Sequence, residues 1–122
     1  MSNNTQQCSV CRLRDLIPGS GIAVWTPAGP VAIFYLPEQT PSMYGISHHD
    51  PFSGANVLAR GITGDLKGHL VVASPIYKQH FDLRTGVCLE DENVRIPTYQ
   101  VHVDGGDVLV DVPAEEDEAA TA

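Results

Sequence analysis

Apolar and polar positions alternate in short runs along this chain, and turn residues cut the runs at close intervals. Val101 and Val103 alternate with Gln100 and His102. After Asp104-Gly105-Gly106-Asp107 the alternation resumes, with Val108, Val110 and Val112 on one face. Period-two alternation on both sides of a glycine turn predicts an antiparallel hairpin. A second hairpin is expected from Ile22-Ala23-Val24-Trp25, the turn Thr26–Pro30, and Val31-Ala32-Ile33-Phe34-Tyr35. Strands are expected near Val10–Leu13, Gly21–Thr26, Val31–Leu36, Met43–Ser47, His69–Ala73, His80–Asp82, Tyr99–Val103 and Val108–Val112. A helical turn is expected at Arg12–Ile17, where Leu13, Leu16 and Ile17 share one face before Pro18-Gly19 ends it. A second short turn is expected near Asp91. The pattern is that of an all-β domain, with a core containing Val24, Ile33, Tyr35, Ile46, Val71, Phe81, Leu83, Val101, Val103 and Val110.

A chain of 122 residues with 43% hydrophobic content suits one globular domain. No apolar run approaches the roughly 20 residues of a membrane helix. The start, Met1-Ser2-Asn3-Asn4-Thr5-Gln6-Gln7, lacks the basic and apolar regions of a secretory signal, so a cytoplasmic location is expected. Net charge is −8, and Glu115, Glu116, Asp117 and Glu118 supply half of it. An acidic surface repels phosphate backbones and anionic lipid, which argues against nucleic-acid and membrane partners. Residues 1–8 are expected to form a disordered leader and 113–122 a disordered acidic tail, because neither can bury enough to offset the entropy of ordering. The domain is then 9–112.

Three cysteines in such a chain argue against a disulfide framework. Cys8-x-x-Cys11 has the spacing of a redox or zinc pair, but no second pair completes a tetrahedral site. Cys88 reads as a buried, inert thiol. His48 and His49 are consecutive, so in extended backbone they point to opposite faces and do not share one ion. Ser74 and His80 are close in sequence, yet nothing places an acid or an oxyanion hole beside them, so no catalytic set is expected.

Two segments carry the strongest signal. One is Ile46-Ser47-His48-His49-Asp50-Pro51-Phe52-Ser53-Gly54. The other runs from Val72-Ala73-Ser74-Pro75-Ile76-Tyr77-Lys78-Gln79-His80 into Phe81-Asp82-Leu83-Arg84-Thr85-Gly86. The second resembles the second cluster-binding loop of Rieske [2Fe–2S] proteins, Cys-Pro-x-His-x-x-x-Phe-Asp-Leu-x-Thr-Gly, and the first resembles their Cys-x-His loop. A Rieske cluster takes two thiolates and two imidazoles. The matching positions here are Ser47, His49, Ser74 and Tyr77, so one ligand of four remains.

The run Asp50-Pro51-Phe52-Ser53-Gly54-Ala55, with Gly64–Gly68, Leu16–Gly21, Cys88–Asp91 and Val94–Pro97, resembles the small subunits of NADH-dependent assimilatory nitrite reductases. The likeness covers about residues 10 to 112. It implies an all-β, Rieske-like fold: a small antiparallel sandwich or barrel with a two-loop subdomain and no cluster. It implies a cofactor-free subunit without a catalytic centre or metal of its own. Its partner would be a large subunit that uses FAD, NADH, an iron–sulfur cluster and sirohaem to reduce nitrite to ammonium. The alternatives are a Rieske-like electron carrier, or a β-domain adaptor in another redox complex. His48, Asp50, Phe52, Pro75, Ile76, Tyr77, Lys78 and Gln79 are expected to form a partner-facing tip, since loops on rigid β scaffolds often bind.

Overall fold

The computed structural model describes residues 5–113. Ten strands follow in order: β1 (Thr5–Arg12), β2 (Gly21–Thr26), β3 (Gly29–Tyr35), β4 (Met43–Ser47), β5 (Ile62–Leu66), β6 (His69–Ala73), β7 (His80–Asp82), β8 (Thr98–Tyr99), β9 (Val101–Asp104) and β10 (Asp107–Pro113). Single 3₁₀ turns lie at Leu13–Asp15 and Leu58–Arg60. The strands form three antiparallel sheets, ordered β1-β10-β9, β2-β3-β4-β8 and β5-β6-β7.

Strand β3 explains how the sheets stack. Its run Val31-Ala32-Ile33-Phe34 is wholly buried because each face meets a different core. Val31 and Ile33 join Leu16, Val108, Val110 and Val112 against the β1-β10-β9 sheet. Ala32 and Phe34 join Ile46, Leu58, Val72, Phe81, Leu83, Cys88 and Ile96 against the β5-β6-β7 sheet. A strand buried on both faces reads as a continuous apolar run, whereas β10, buried on one, alternates.

Several expectations need correction. Thr5–Cys8, assigned to a disordered leader, lie in β1, where Gln6 pairs with Val112 and Cys8 with Val110. Ladder pairing and the apolar inner face together offset the ordering cost that composition alone suggests is prohibitive. Pro113, assigned to the tail, ends β10; residues 1–4 and 114–122 lie outside the described residues. The single strand expected over Tyr99–Val103 divides at Gln100, so that β8 pairs with β4 and β9 with β10. Val103 is exposed rather than core, because β9 is a sheet edge and Val103 lacks the second neighbour that buries Val108. Strand β5 was not expected; its Ile62-Thr63-Gly64-Asp65-Leu66 is mostly exposed and is held by pairing to β6 through the Lys67-Gly68 turn. Both turn residues have positive φ, as a two-residue hairpin demands. Near Asp91 there is a turn, with the Asn93 N–H donating to Asp91 Oδ1 at 3.1 Å.

Candidate functional site

Two loops leave the sheets side by side: residues 47–57 after β4, and 74–79 between β6 and β7. Asp50 ties them together. Its carboxylate is fully buried, accepting the Ser74 hydroxyl at 2.6 Å on Oδ2 and the Phe52 N–H at 2.9 Å on Oδ1. Burial pushes the Asp50 carboxyl up, but the bonds from Ser74, Phe52 and Ser53 outweigh it and hold it below the ordinary carboxylate range. Ser74 is fully buried too. Its N–H donates to Gln79 O at 2.9 Å, its carbonyl accepts the Lys78 N–H at 3.1 Å, and its hydroxyl oxygen accepts the Ile76 N–H at 3.3 Å. One buried serine thereby sets the curvature of its own loop and the link to the other.

The remaining predicted positions divide by exposure. His48 is buried, and its Nδ1 accepts the Ala59 N–H at 3.0 Å. Burial, reinforced by nearby Arg60, lowers its pKa and keeps the ring neutral. Phe52 packs on Phe81 with ring centroids 6.1 Å apart. His48 and Asp50, expected on a partner-facing surface, are therefore interior braces, and Phe52 is an edge of the core. Pro75 and Gln79 are half-buried. Ile76, Tyr77 and Lys78 face solvent, with Tyr77 60% exposed. Lys78 takes a positive φ of 68°, uncommon outside glycine, while its Nζ donates back to Pro75 O at 3.2 Å.

A [2Fe–2S] cluster does not fit this donor set. Ser47 Oγ accepts the His49 N–H at 3.2 Å, His49 Nδ1 lies 3.0 Å from Asn56 Oδ1, and Ser74 is committed to Asp50. Two neutral hydroxyls replace the thiolates, and an outward phenol replaces an imidazole. Among the described residues no group of His, Cys, Asp and Glu is arranged to hold a metal ion.

Cys8 and Cys11 both face the inner core, since an irregularity between Ser9 and Cys11 brings Cys11 opposite Val108. Burial, and then Asp15, raise the Cys11 thiol pKa, which suppresses its thiolate. Cys88 is fully buried, and burial raises its pKa as well.

Sequence reasoning missed Trp25 and Ile62, which are 76% and 79% exposed at the edge strands β2 and β5. Alternation with Val24 puts Trp25 on the other face of β2, and the outer position of that strand leaves it uncovered. The His80–Glu90 pair was missed too, because nine residues lie between its members; Nδ1 lies 2.6 Å from Oε2.

Residues 6–111 match the model of the Rieske-like [2Fe–2S] domain. The nitrite reductase (NADH) small subunit of Salmonella typhimurium is 38% identical over 102 residues, covering 84% of this chain and 94% of the relative. The chain belongs to the Rieske-like domain family, within its nitrite reductase small subunits. The solution structure of the Escherichia coli protein NirD superposes with a TM-score of 0.79 at 34% identity, covering 90% of this chain and 99% of that one. A third relative is of another kind. The nitrite reductase [NAD(P)H] large subunit of Klebsiella oxytoca is 32% identical over 102 residues, 84% of this chain but 10% of that protein. Members of this family are thus subunits of an oxidoreductase, and one large subunit carries a domain of this kind within its own chain.

Proposed function

We propose that this chain is the small subunit of a cytoplasmic, NADH-dependent nitrite reductase. In this reading it docks on the large subunit through the tip of residues 74–79. The Klebsiella oxytoca large subunit carries the reading: a domain joined covalently to the catalytic chain is a domain that works against it. The flavin, iron–sulfur cluster and sirohaem that reduce nitrite to ammonium are assigned to the large subunit. The donor set at Ser47, His49, Ser74 and Tyr77 favours this over a Rieske-like electron carrier.

Within the tip, Ile76 and Tyr77 supply the apolar anchor and Lys78 the charge. Asp50 and Ser74 hold the loop in shape before the partner arrives, which reduces the entropy lost on docking. Tyr77→Ala is expected to weaken association of the purified subunits by about 2 kcal/mol, roughly thirtyfold, and Lys78→Glu by a similar factor. Both should leave unfolding stability within about 1 kcal/mol, as the side chains are exposed. Titration calorimetry with the large subunit checks the first number and urea unfolding the second. Unchanged association in both variants sinks the tip as the docking surface.

A further inference from the structure

Beside the tip, one imidazole is held more firmly than a surface histidine needs to be. The Glu90 carboxylate accepts the His80 backbone N–H at 2.7 Å on Oε1, and the His80 ring Nδ1 lies 2.6 Å from Oε2. The Cys88 thiol donates to the same carboxylate at 3.6 Å. Burial pushes the Glu90 carboxyl up, but the hydrogen bonds from His80 outweigh it and hold the group below its ordinary range. An ionised Glu90 only accepts, so Nδ1 carries a proton and Nε2 is the nitrogen left free, with its lone pair available in the neutral form of the ring. Nε2 takes no hydrogen bond from the described residues and is not among their buried unpaired atoms, so it opens to solvent.

The place of this nitrogen gives it meaning. His80 pairs with Ala73 across β7 and β6, and Ala73 pairs with Ile62 across β6 and β5. Directly paired residues project to one face, so exposed Ile62, small Ala73 and the His80 ring form a row. That row closes the base of the 74–79 loop. An oriented acceptor beside an exposed isoleucine is the composition of a specific contact, with apolar area for affinity and one directional bond for register.

We propose that His80 is a specificity-determining contact of the docking face, presenting Nε2 to an N–H donor of the large subunit, with Glu90 as the residue that positions it. The donor is an amide, guanidinium or ammonium group, and a basic one also meets the favourable field of a chain with net charge −8. The inference rests on the docking reading above and adds to it the polar half of the contact.

The test measures binding of the purified large subunit to His80→Leu, His80→Gln, Glu90→Ala and the Ile76→Ala/Tyr77→Ala double variant. His80→Leu should weaken binding about tenfold, the loss of one interfacial hydrogen bond. His80→Gln, whose side-chain amide reaches a similar position, should recover most of that. Glu90→Ala should lose about threefold, because the ring remains but turns freely. At saturating small subunit all three should restore the nitrite reductase kcat of the native pair, separating docking from chemistry. If His80→Leu binds as the native chain while Ile76→Ala/Tyr77→Ala does not, the assignment of His80 is overturned and the docking reading stands. If none of the four changes binding, the docking reading falls with it. Loss in His80→Leu without recovery in His80→Gln overturns the hydrogen bond and assigns the effect to shape.

Discussion

Asp50→Ala should destabilise the protein by about 3 kcal/mol and lower Tm by roughly 10–20 °C. The mutation removes a buried carboxylate and strands donors that depend on it, among them the Ser74 hydroxyl and the Phe52 N–H. Ser74→Ala should cost about 2 kcal/mol, since the carboxylate loses its shortest bond while remaining buried. The double variant should cost clearly less than the sum, with a coupling of about 1–2 kcal/mol. The pH dependence follows from the depressed pKa of Asp50. In the unfolded chain this carboxyl titrates at about 3.9. Its contribution is therefore complete above that value and is lost as pH falls through the lower, folded value. The gap between native and Asp50→Asn stabilities should accordingly be constant from neutral pH to about pH 5 and narrow below about pH 4. Urea unfolding over this range measures it. A cost below about 1 kcal/mol for Asp50→Ala at neutral pH would show that the loops are held by something else.

The second large effect concerns the end of the Phe81–Gly86 motif. Asp82 Oδ1 accepts the Arg84 N–H at 2.7 Å and the Thr85 N–H at 3.2 Å, and Gly86 closes the turn with its N–H on Asp82 O at 2.8 Å. Gly86 has φ of +81°, and a Cβ there would collide with the Ile96 carbonyl, whose own residue donates to Gly86 O at 2.9 Å. Neither backbone can retreat without breaking that bond. Gly86→Ala should cost about 4 kcal/mol or more. Gly54→Ala is the control, because Gly54 has φ of +77° and open space around it. It should cost only the left-handed penalty, about 1–2 kcal/mol. Equal losses in the two variants would mean that backbone conformation alone, and not the approach of Ile96, demands glycine at position 86.

Much of the architecture was legible because it rests on local alternation. The β9–β10 hairpin is announced by Val101, Val103, Val108 and Val110 around a double-glycine turn, and β3 by an apolar run that only a doubly buried strand tolerates. The loops were legible by likeness to Rieske loops, and the missing ligands were legible as Ser47, Ser74 and Tyr77. The role of Asp50 was half legible. Its bond to the Phe52 N–H belongs to a turn that Asp-Pro-Phe-Ser-Gly advertises, whereas its bond to Ser74 spans 24 residues and leaves no local trace. Strand β5 was invisible, since Gly64 and Asp65 are poor strand formers and only pairing with β6 makes them one.

The sequence by itself determined the all-β class, most strand positions, the turn glycines and the loss of cluster ligands, for these depend on residue type and short-range spacing. Only the tertiary structure decided which polar residues of the loops are interior and which face solvent. His48 and Asp50 are drawn inside because donors from distant segments, Ala59 and Ser74, converge on them. Trp25 and Ile62 are left outside because their strands lie at sheet edges. Burial of a side chain is a property of what packs over it, and that neighbour is chosen by the fold rather than by the residues beside it in the chain.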